Sequence, residues 1–264
     1  MSKPAAPRSW NPDQYLTFAD QRLRPALDLL ARVPLTTATR VSDLGCGPGN
    51  VTPFLRQRFP DATLTGVDSS AEMLKAAQET HVDGAAWVLA DAARWQPDQP
   101  QDLIYSNALM QWLDGHDALL PRLLGFVRPG GALAVQMPNQ FGEPSHVLMR
   151  EVAASGPWAD ALTPLLRPAP VASPACYDDW LSPYCASVDV WQTEYLQKLS
   201  GEDAVLHWLS ATALKPLLEA LPGEHVSSFQ ATLAARLRAA YPPRTDGSTL
   251  FAFKRLFIVA VRAG

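Results

Sequence analysis

The stretch Val41-Ser42-Asp43-Leu44-Gly45-Cys46-Gly47-Pro48-Gly49 decides the fold: a short apolar strand runs into a turn with glycine at every second position. Over 51–59, apolar side chains recur with the spacing of an amphipathic helix, which Pro60 then ends. Glycine lets such a turn adopt positive φ angles and lets a ligand lie directly on the main chain. In an open α/β sheet, nucleotides and related cofactors bind in a crevice between a strand and the following helix.

The spacing of the glycines narrows the class of ligand. Dinucleotide-binding turns read G-x-G-x-x-G, whereas the last two glycines here are one residue closer, and Asp43 lies at the end of the strand. A carboxylate at that point repels a pyrophosphate but holds an ammonium group, directly or through water. A phosphate-binding P-loop is excluded because no Gly-Lys-Ser/Thr follows. A nicotinamide-dinucleotide module and a glycine turn without a ligand stay as alternatives.

Length and composition set the broad class. With 264 residues, of which 47% are hydrophobic, the chain can bury a full core, and we expect one domain over 1–264. A net charge of -4 without a basic run argues against nucleic acid as a substrate. No apolar stretch approaches the ~18 residues of a membrane span, and residues 1–10 lack the apolar core of a signal peptide. Three cysteines without a C-x-x-C pair favour a reducing compartment, so a cytoplasmic protein is expected.

Acidic residues also end the next two predicted strands. Asp68 closes the second strand 19 residues after Gly49, close to the ~20 expected for an acid that accepts both ribose hydroxyl protons. Asp91 follows the third strand, where a carboxylate can accept a hydrogen bond from an adenine amino group. Three successive strands that end in an acid are hard to explain without a common ligand. Further strands are predicted at 103–107, 132–137, 188–193 and 256–261.

The helix after the second strand has two candidate caps. Ser69 or Ser70 can cap it, and Ser69 with Glu72 has the spacing of a capping box. Met73 lies one turn into this helix, where its thioether packs either on an adenine ring or in the core.

The motif D-x-G-x-G-x-G over 43–49 resembles motif I of the class I S-adenosylmethionine (SAM) methyltransferases. Across 41–137 the later positions follow in the order and spacing of that superfamily: Asp68, Asp91, Asn107, Gln111-Trp112 and Pro129-Gly130-Gly131. The flanks are similar to the family of methyltransferases that act on trans-aconitate. They are Trp10-Asn11-Pro12-x-x-Tyr15-Leu16-x-Phe18, His146-Val147-Leu148-Met149-Arg150-Glu151-Val152-Ala153 and Arg255-Leu256-Phe257-Ile258-Val259-Ala260. The resemblance therefore extends over nearly the whole chain.

The resemblance implies an α/β fold, with a Rossmann-like seven-stranded sheet and helices on both of its faces. We expect residues 1–35 to form an N-terminal helical lid and 36–138 to form the cofactor-binding core. Around the last two strands, 139–183 and 199–248 are interpreted as helical insertions that shape the substrate pocket.

The resemblance also implies SAM as the cofactor, S-adenosylhomocysteine as its product and a small tricarboxylate as the methyl acceptor. The candidate cofactor-binding residues are Asp43, Gly45, Gly47, Gly49, Asn50, Asp68, Ser69, Met73, Asp91, Ala92 and Asn107. The sequence indicates neither a nucleic-acid nor a membrane partner, and it does not specify an oligomeric state.

Methyl transfer to a carboxylate makes modest demands on side-chain chemistry. A carboxylate is ionised at pH 7 and is already a nucleophile, so an in-line SN2 displacement needs no general base. The enzyme has to align oxygen, methyl and sulfur at near-attack distance. No G-x-S-x-G motif is present and the five histidines lack ligand spacing, so we predict no acid–base residue and no metal site.

Contacts to the substrate are expected from the lid, from the segment after the fourth strand and from a cation near the last strand. The candidates are Trp10 and Tyr15, Gln111 and Trp112, and Arg255, whose fork suits carboxylates. Each has an ordinary explanation as well: packing on the sheet edge, packing under the lid, and a surface charge beside a strand.

The sequence leaves the role of one residue pair undecided. His146 and Arg150, four residues apart on one predicted helix, form either an anion clamp or part of a solvated face.

The sequence also leaves the methyl acceptor undecided. It is the tricarboxylate, another small acid, or an oxygen or nitrogen nucleophile that needs a base. A protein that binds SAM without catalytic activity is the alternative to an enzyme.

Overall fold

The computed structural model describes residues 19–80 and 82–264, and within these residues seven strands form one sheet. The strands are β1 (Arg40–Leu44), β2 (Thr63–Asp68), β3 (Ala85–Leu89), β4 (Gln101–Asn107), β5 (Val127–Pro138), β6 (Cys185–Ser200) and β7 (Ser248–Arg262). Their order across the sheet is β3-β2-β1-β4-β5-β7-β6. The predicted seven-stranded α/β fold is confirmed.

Helices connect the strands. They are α1 (Ala19–Arg32), α2 (Thr52–Arg58), α3 (Ala71–Gln78), α4 (His116–Gly125), α5 (Pro144–Ala153), α6 (Ala159–Leu162), α7 (Pro174–Leu181), α8 (Ala204–Ser210), α9 (Lys215–Ala220) and α10 (Gly223–Ala240). A short 3₁₀ turn, Met110–Trp112, follows β4. In the part of the chain that the structure describes, no helix is long and apolar enough to cross a membrane.

The chain divides into two compact units. Of the described residues, unit 1 contains those between 19 and 138, Ala172–Gln192 and Leu256–Gly264, and unit 2 contains Asn139–Val171 and Thr193–Arg255. The segment interpreted as an insertion at 139–183 is therefore shared between the two units, whereas the one at 199–248 lies in unit 2.

The central strands of unit 1 are parallel and buried. β1 pairs with β2 and with β4, β2 with β3, and β4 with β5, all in parallel register. Every residue of β4 from Gln101 to Ser106 is buried, as expected for a strand covered on both faces. Because the strands are parallel, their carboxyl ends lie together on one side of the sheet. Asp43, Asp68 and Asn107 lie at these carboxyl ends.

Unit 2 is held by a helix pair and a cluster of aromatic side chains. α5 packs against α10, and the Trp158 indole meets the Phe229 ring edge-on with centroids 5.2 Å apart. Trp208 packs against Phe251 and Phe253, at centroid distances of 6.0 and 5.6 Å. Edge-to-face pairs of this kind add roughly 0.5–1.5 kcal/mol each to the burial of their area.

At the amino ends of the unit 1 strands, a buried carboxylate connects neighbouring segments by hydrogen bonds. Asp102 Oδ2 accepts hydrogen bonds from the backbone N–H and the hydroxyl of Thr39, both at 2.7 Å, and from the Arg40 N–H at 2.8 Å. Its Oδ1 accepts from Arg128 Nε. Burial alone raises the pKa of Asp102, but these hydrogen bonds outweigh it and lower the pKa to about 2. One side chain thus joins the beginnings of β1, β4 and β5.

Asp102→Asn is expected to lower the free energy of unfolding by about 1–3 kcal/mol at pH 7, because an amide nitrogen then meets donors. The pKa of Asp102 is depressed in the folded state, so its contribution is present above the ordinary value of ~3.9 and is lost as pH falls towards 2. Urea denaturation should therefore show a difference from wild type at pH 7 that shrinks below about pH 4. Asp61→Asn, at an exposed position, serves as the control. Equal stability of the Asp102 variant and wild type at pH 7 would contradict the role given to this carboxylate.

Candidate functional site

The glycine loop after β1 is fastened to the end of β2. Gly45 N and Cys46 N both donate to Val67 O, at 2.8 and 3.1 Å. The three glycines of the loop have φ angles of 70°, 54° and 79°, in the region that side chains other than glycine rarely adopt. A Cβ on Gly45 would lie 2.8 Å from Leu109, whereas one on Gly47 would have no atom of the described residues within 4 Å. The main chain at Gly47 is therefore open to a ligand.

Asp68 joins this loop to the helix that follows β2. Its Oδ2 accepts from Gly47 N and its Oδ1 from Ser70 N, both at 2.9 Å. A carboxylate oxygen accepts more than one hydrogen bond, so both oxygens keep capacity for the hydroxyls of a ligand. The structure thus brings the predicted ribose-binding acid directly to the glycine loop.

Asp43 is a buried carboxylate whose Oδ2 has no hydrogen-bond partner within residues 19–80 and 82–264. Burial and, next, the negative charge of Asp68 raise its pKa to about 7, with the Thr52 hydroxyl acting in the opposite direction. That hydroxyl is itself buried and reaches no partner within hydrogen-bond geometry in the described part of the chain. Leaving such a group unpaired costs free energy, and sites of this kind mark the binding of a ligand. The missing partner is a donor, preferably a cation.

The start of α3 departs from the predicted capping box. Ser70 is the N-cap, and its hydroxyl oxygen accepts from Met73 N at 3.2 Å and donates to Glu72 at 2.9 Å. The predicted capping box between Ser69 and Glu72 is therefore wrong by one residue, because Asp68 takes the Ser70 N–H and turns the Ser70 hydroxyl towards the helix. Ser69 is exposed and Met73 is buried. Their roles at the cofactor stay predictions.

The third acid lies after β3. Asp91 is exposed, its Oδ1 accepts from Ala93 N at 2.9 Å, and Ala92 beside it is buried. Leu89, at the end of β3, is 61% exposed, so apolar surface lies next to this carboxylate. A polar group flanked by apolar surface suits a heteroaromatic ring. Asn50, in the glycine loop, is half-buried.

Trp87 is a residue of this site that sequence reasoning missed. A Cβ on Gly66 would lie 2.4 Å from the Trp87 ring, and one on Gly49 would lie 3.1 Å from it. The indole therefore covers the middle of β2 and the last glycine of the loop. The available signal was Gly66 itself, because an isolated glycine inside a strand marks a close approach of another group.

The segment after β4 is strained and carries polar atoms without partners. Ala108 has a φ of 56°, which costs a residue other than glycine about 1 kcal/mol or more. Asn107 Oδ1 and Gln111 Oε1 are buried and find no hydrogen-bond partner among the described residues, and Gln111 Nε2 donates to Ala108 O at 2.6 Å. The backbone N–H of Trp112 closes the turn by donating to Leu109 O at 2.9 Å. Strain and unsatisfied groups in one segment are typical of a functional site.

The remaining candidates lie elsewhere. Trp10 and Tyr15 fall outside the described residues. Arg255 lies within β7 in unit 2, buried, with its Cζ 4.3 Å from the centroid of the Phe253 ring. The alternative explanation of Arg255 as a surface charge is therefore wrong, because the strand begins seven residues earlier, at Ser248, and encloses it.

The fold has counterparts among solved structures. YcgJ from Bacillus subtilis superposes with a TM-score of 0.59 at 13% identity, covering 92% of this chain and 99% of that one. A putative methyltransferase from Bacillus halodurans C-125 gives 0.58 at 11% identity, with coverages of 91% and 100%. A family profile described as a methyltransferase domain matches residues 41–131, which contain the glycine loop and the strand-end acids. The fold and this site define a class I SAM-dependent methyltransferase.

Two relatives carry the classification further, and both are named trans-aconitate 2-methyltransferase. The protein from Azoarcus sp. strain BH72 is 50% identical, over 96% of this chain and 99% of its own. The protein from Methylobacterium radiotolerans is 49% identical, over 96% of this chain and 98% of its own. The chain belongs to the trans-aconitate 2-methyltransferase family.

Asp43→Asn is expected to stabilise the protein at alkaline pH. The pKa of Asp43 is raised in the folded state from 3.8 to about 7, so its ionisation costs stability that is absent below about pH 4 and complete above about pH 7. The amide removes this cost, and we expect a gain of about 1–3 kcal/mol at pH 8 and a smaller one at pH 5. Urea denaturation at both values measures it. A variant that is equally destabilised at pH 5 and pH 8 would show that Asp43 is paired in the folded protein.

Proposed function

We propose that this protein transfers a methyl group from SAM to one carboxylate of trans-aconitate, giving a monomethyl ester and S-adenosylhomocysteine. The observation that carries the proposal is the 50% identity, over 96% of the chain, to a relative named for this reaction. Asp43, with its buried and unpartnered oxygen, supplies independent support for a cationic cofactor.

The residues of unit 1 fit SAM. Asp43 would hold its ammonium group, directly or through water, and Asp68 would accept from its ribose hydroxyls. Asp91 would accept from the adenine amino group, and the open main chain at Gly47 would lie against the ligand. The Trp87 ring covers two glycines of this region. When bound, SAM supplies an electrophilic methyl on a sulfonium.

The chemistry needs alignment and desolvation. A carboxylate oxygen forms the new bond to the methyl carbon while the carbon–sulfur bond breaks and its electron pair stays on sulfur. No proton moves, because the acid is ionised at pH 7. The protein has to hold both partners in line and exclude water, which supplies most of what such a displacement requires.

Both ring nitrogens of His116 are engaged by other groups. Its Nε2 lies 2.9 Å from Met110 O and its Nδ1 2.8 Å from the Tyr177 hydroxyl. A carbonyl only accepts, so Nε2 carries the proton and Nδ1 accepts from Tyr177. Burial lowers the pKa of His116, although the Met110 carbonyl acts in the opposite direction. With both nitrogens engaged, this histidine positions the Met110–Trp112 turn and is not available as a general base.

Side chains after β4 would contact the methyl acceptor, and the protein would work in the cytoplasm. Gln111 and Trp112 are proposed contacts to the acid, and one N–H of the Gln111 amide stays available after its bond to Ala108 O. Arg255, Trp10 and Tyr15 stay predictions as further substrate contacts, and the N-terminal segment as a lid. The free thiols among the described residues support a reducing, cytoplasmic setting.

Methyl transfer from labelled SAM should be strongest with trans-aconitate in a panel that also contains cis-aconitate, isocitrate, citrate and a monocarboxylate. The product should be labile to base, as an ester is. A preference of about tenfold or more corresponds to ~1.4 kcal/mol, within the range that placed donors provide. Transfer to a hydroxyl or amine acceptor without ester formation would favour the alternative, a SAM methyltransferase for another nucleophile. SAM binding without any transfer would favour a binding protein.

Asp68→Asn should weaken SAM binding by about 1–3 kcal/mol, through lost bonds to the ribose and a looser glycine loop. Calorimetric titration measures the effect, with Asp61→Asn at an exposed position as the control. Circular dichroism checks that the variant is folded. Unchanged affinity would remove Asp68 from the cofactor site.

A further inference from the structure

Arg150 on α5 has one guanidinium nitrogen that lacks a hydrogen-bond acceptor. Its Cζ lies 3.6 Å from the centroid of the Phe141 ring, so the guanidinium is stacked on the aromatic face. Its Nη1 is buried and has no hydrogen-bond partner among the residues that the structure describes. Burial lowers the pKa of Arg150, although Glu151 acts in the opposite direction, and a guanidinium stays protonated at any physiological pH. A buried, charged nitrogen without an acceptor is costly and therefore requires an explanation.

The acids of the same segment do not supply the missing acceptor. Glu143, just before α5, pairs with Lys254 Nζ at 2.5 Å. Glu151, next to Arg150 in sequence, pairs with Arg236 Nη2 of α10, also at 2.5 Å. Both carboxylates are thus held by other cations of unit 2.

His146, one helical turn before Arg150, is neutral at pH 7. Burial and, next, the positive charge of Arg150 lower the pKa of His146 to about 4, so it carries no charge at pH 7. Its Nδ1 lies 3.1 Å from Ser145 Oγ, and Ser145 N donates to the Tyr241 hydroxyl at 3.0 Å. Both His146 and Arg150 are half-buried, unlike the side chains of a solvated helix face. The cluster therefore offers hydrogen-bond donors and one positive charge, held in place by α10.

We propose that Phe141, Ser145, His146 and Arg150 form a binding site in unit 2 for one carboxylate of a small organic acid. The stack on Phe141 fixes the plane of the guanidinium and leaves its N–H edge for a bidentate pair with a carboxylate. The neutral His146, whose Nδ1 is engaged by the fully buried Ser145, supplies a further donor beside it. The choice of trans-aconitate as the probe rests on the proposed function.

Binding is measured by calorimetric titration of the full-length protein with trans-aconitate in the presence of S-adenosylhomocysteine. Arg150→Gln should weaken binding of the acid by about tenfold or more while leaving the affinity for S-adenosylhomocysteine unchanged. Arg150→Lys should recover only part of the loss, because an ammonium offers no fork. Arg236→Gln, which removes a cation from the same helix pair but not from the cluster, should bind as wild type does. Thermal denaturation shows which variants are folded.

A second readout reports on the cluster itself. A carboxylate next to Arg150 offsets its charge, so the pKa of His146, followed by NMR with His146→Gln for assignment, should rise by about one unit when the acid binds. A folded Arg150→Gln variant with wild-type affinity, or an unmoved His146 signal in the complex, overturns the site even if methyl transfer to trans-aconitate is found. If wild type neither binds nor methylates trans-aconitate, the proposed function fails, and citrate and a monocarboxylate replace it as probes. A His146 signal that no acid of this panel moves then overturns the site.

Discussion

The hydrogen bonds that hold the glycine loop on the end of β2 are the constraint on which the site depends. Val67 O receives Gly45 N and Cys46 N, and the Asp68 carboxylate receives Gly47 N. A turn with three positive φ angles is locally unfavourable for most residues, and only glycine adopts it without steric cost. The bonds to β2 determine which way its N–H groups point. Because β1 and β2 are parallel, the acids at their ends are brought to the same loop, and the remaining site is built outward from that junction.

The buried Asp43 carboxylate at this junction lowers the free energy of unfolding when it is ionised. Burial and, next, the negative charge of Asp68 raise the pKa of Asp43 to about 7. A fold selected for stability alone would replace Asp43 with an amide or an apolar residue. Retaining a carboxylate there is reasonable if a cationic ligand neutralises it in the working protein. Asp102 is the opposite case in the same unit. Its carboxylate is fully paired and its pKa is low, so its charge stabilises the fold.

Periodicity and spacing predicted the parts of the molecule that repeat a local rule. Strands that end in Asp43 and Asp68 followed from apolar runs closed by an acid, and the seven-stranded sheet followed from their resemblance to a known superfamily. Side-chain approach across the sheet was not predictable in this way: Trp87 covers glycines in two other elements, and only Gly66 hinted at it. The capping box failed because Ser69 and Ser70 are equivalent in sequence, and the choice is made by the hydrogen bond from Ser70 N to Asp68, whose other oxygen is held by Gly47 N. The strained Ala108 has no local signal, since alanine normally avoids a positive φ. Arg255 was expected beside the last strand because the apolar run begins at 256, but the pairing of the sheet extends the strand back to Ser248.

A displacement by a carboxylate on a sulfonium has no proton to move, so a basic side chain near the acceptor brings no advantage. The environment of His116 agrees with this requirement. The imidazole is buried, donates to Met110 O and accepts from Tyr177, and the Tyr177 hydroxyl in turn accepts from Ala172 N at 3.1 Å. This chain of hydrogen bonds holds one tautomer and fixes the carbonyl at the start of the Met110–Trp112 turn. For a reaction whose barrier depends on the alignment of three atoms, a rigid turn contributes more than a titrating group. The histidine that sequence inspection set aside for lack of ligand spacing thus has a positional role, one that only the three-dimensional arrangement of Met110 and Tyr177 defines.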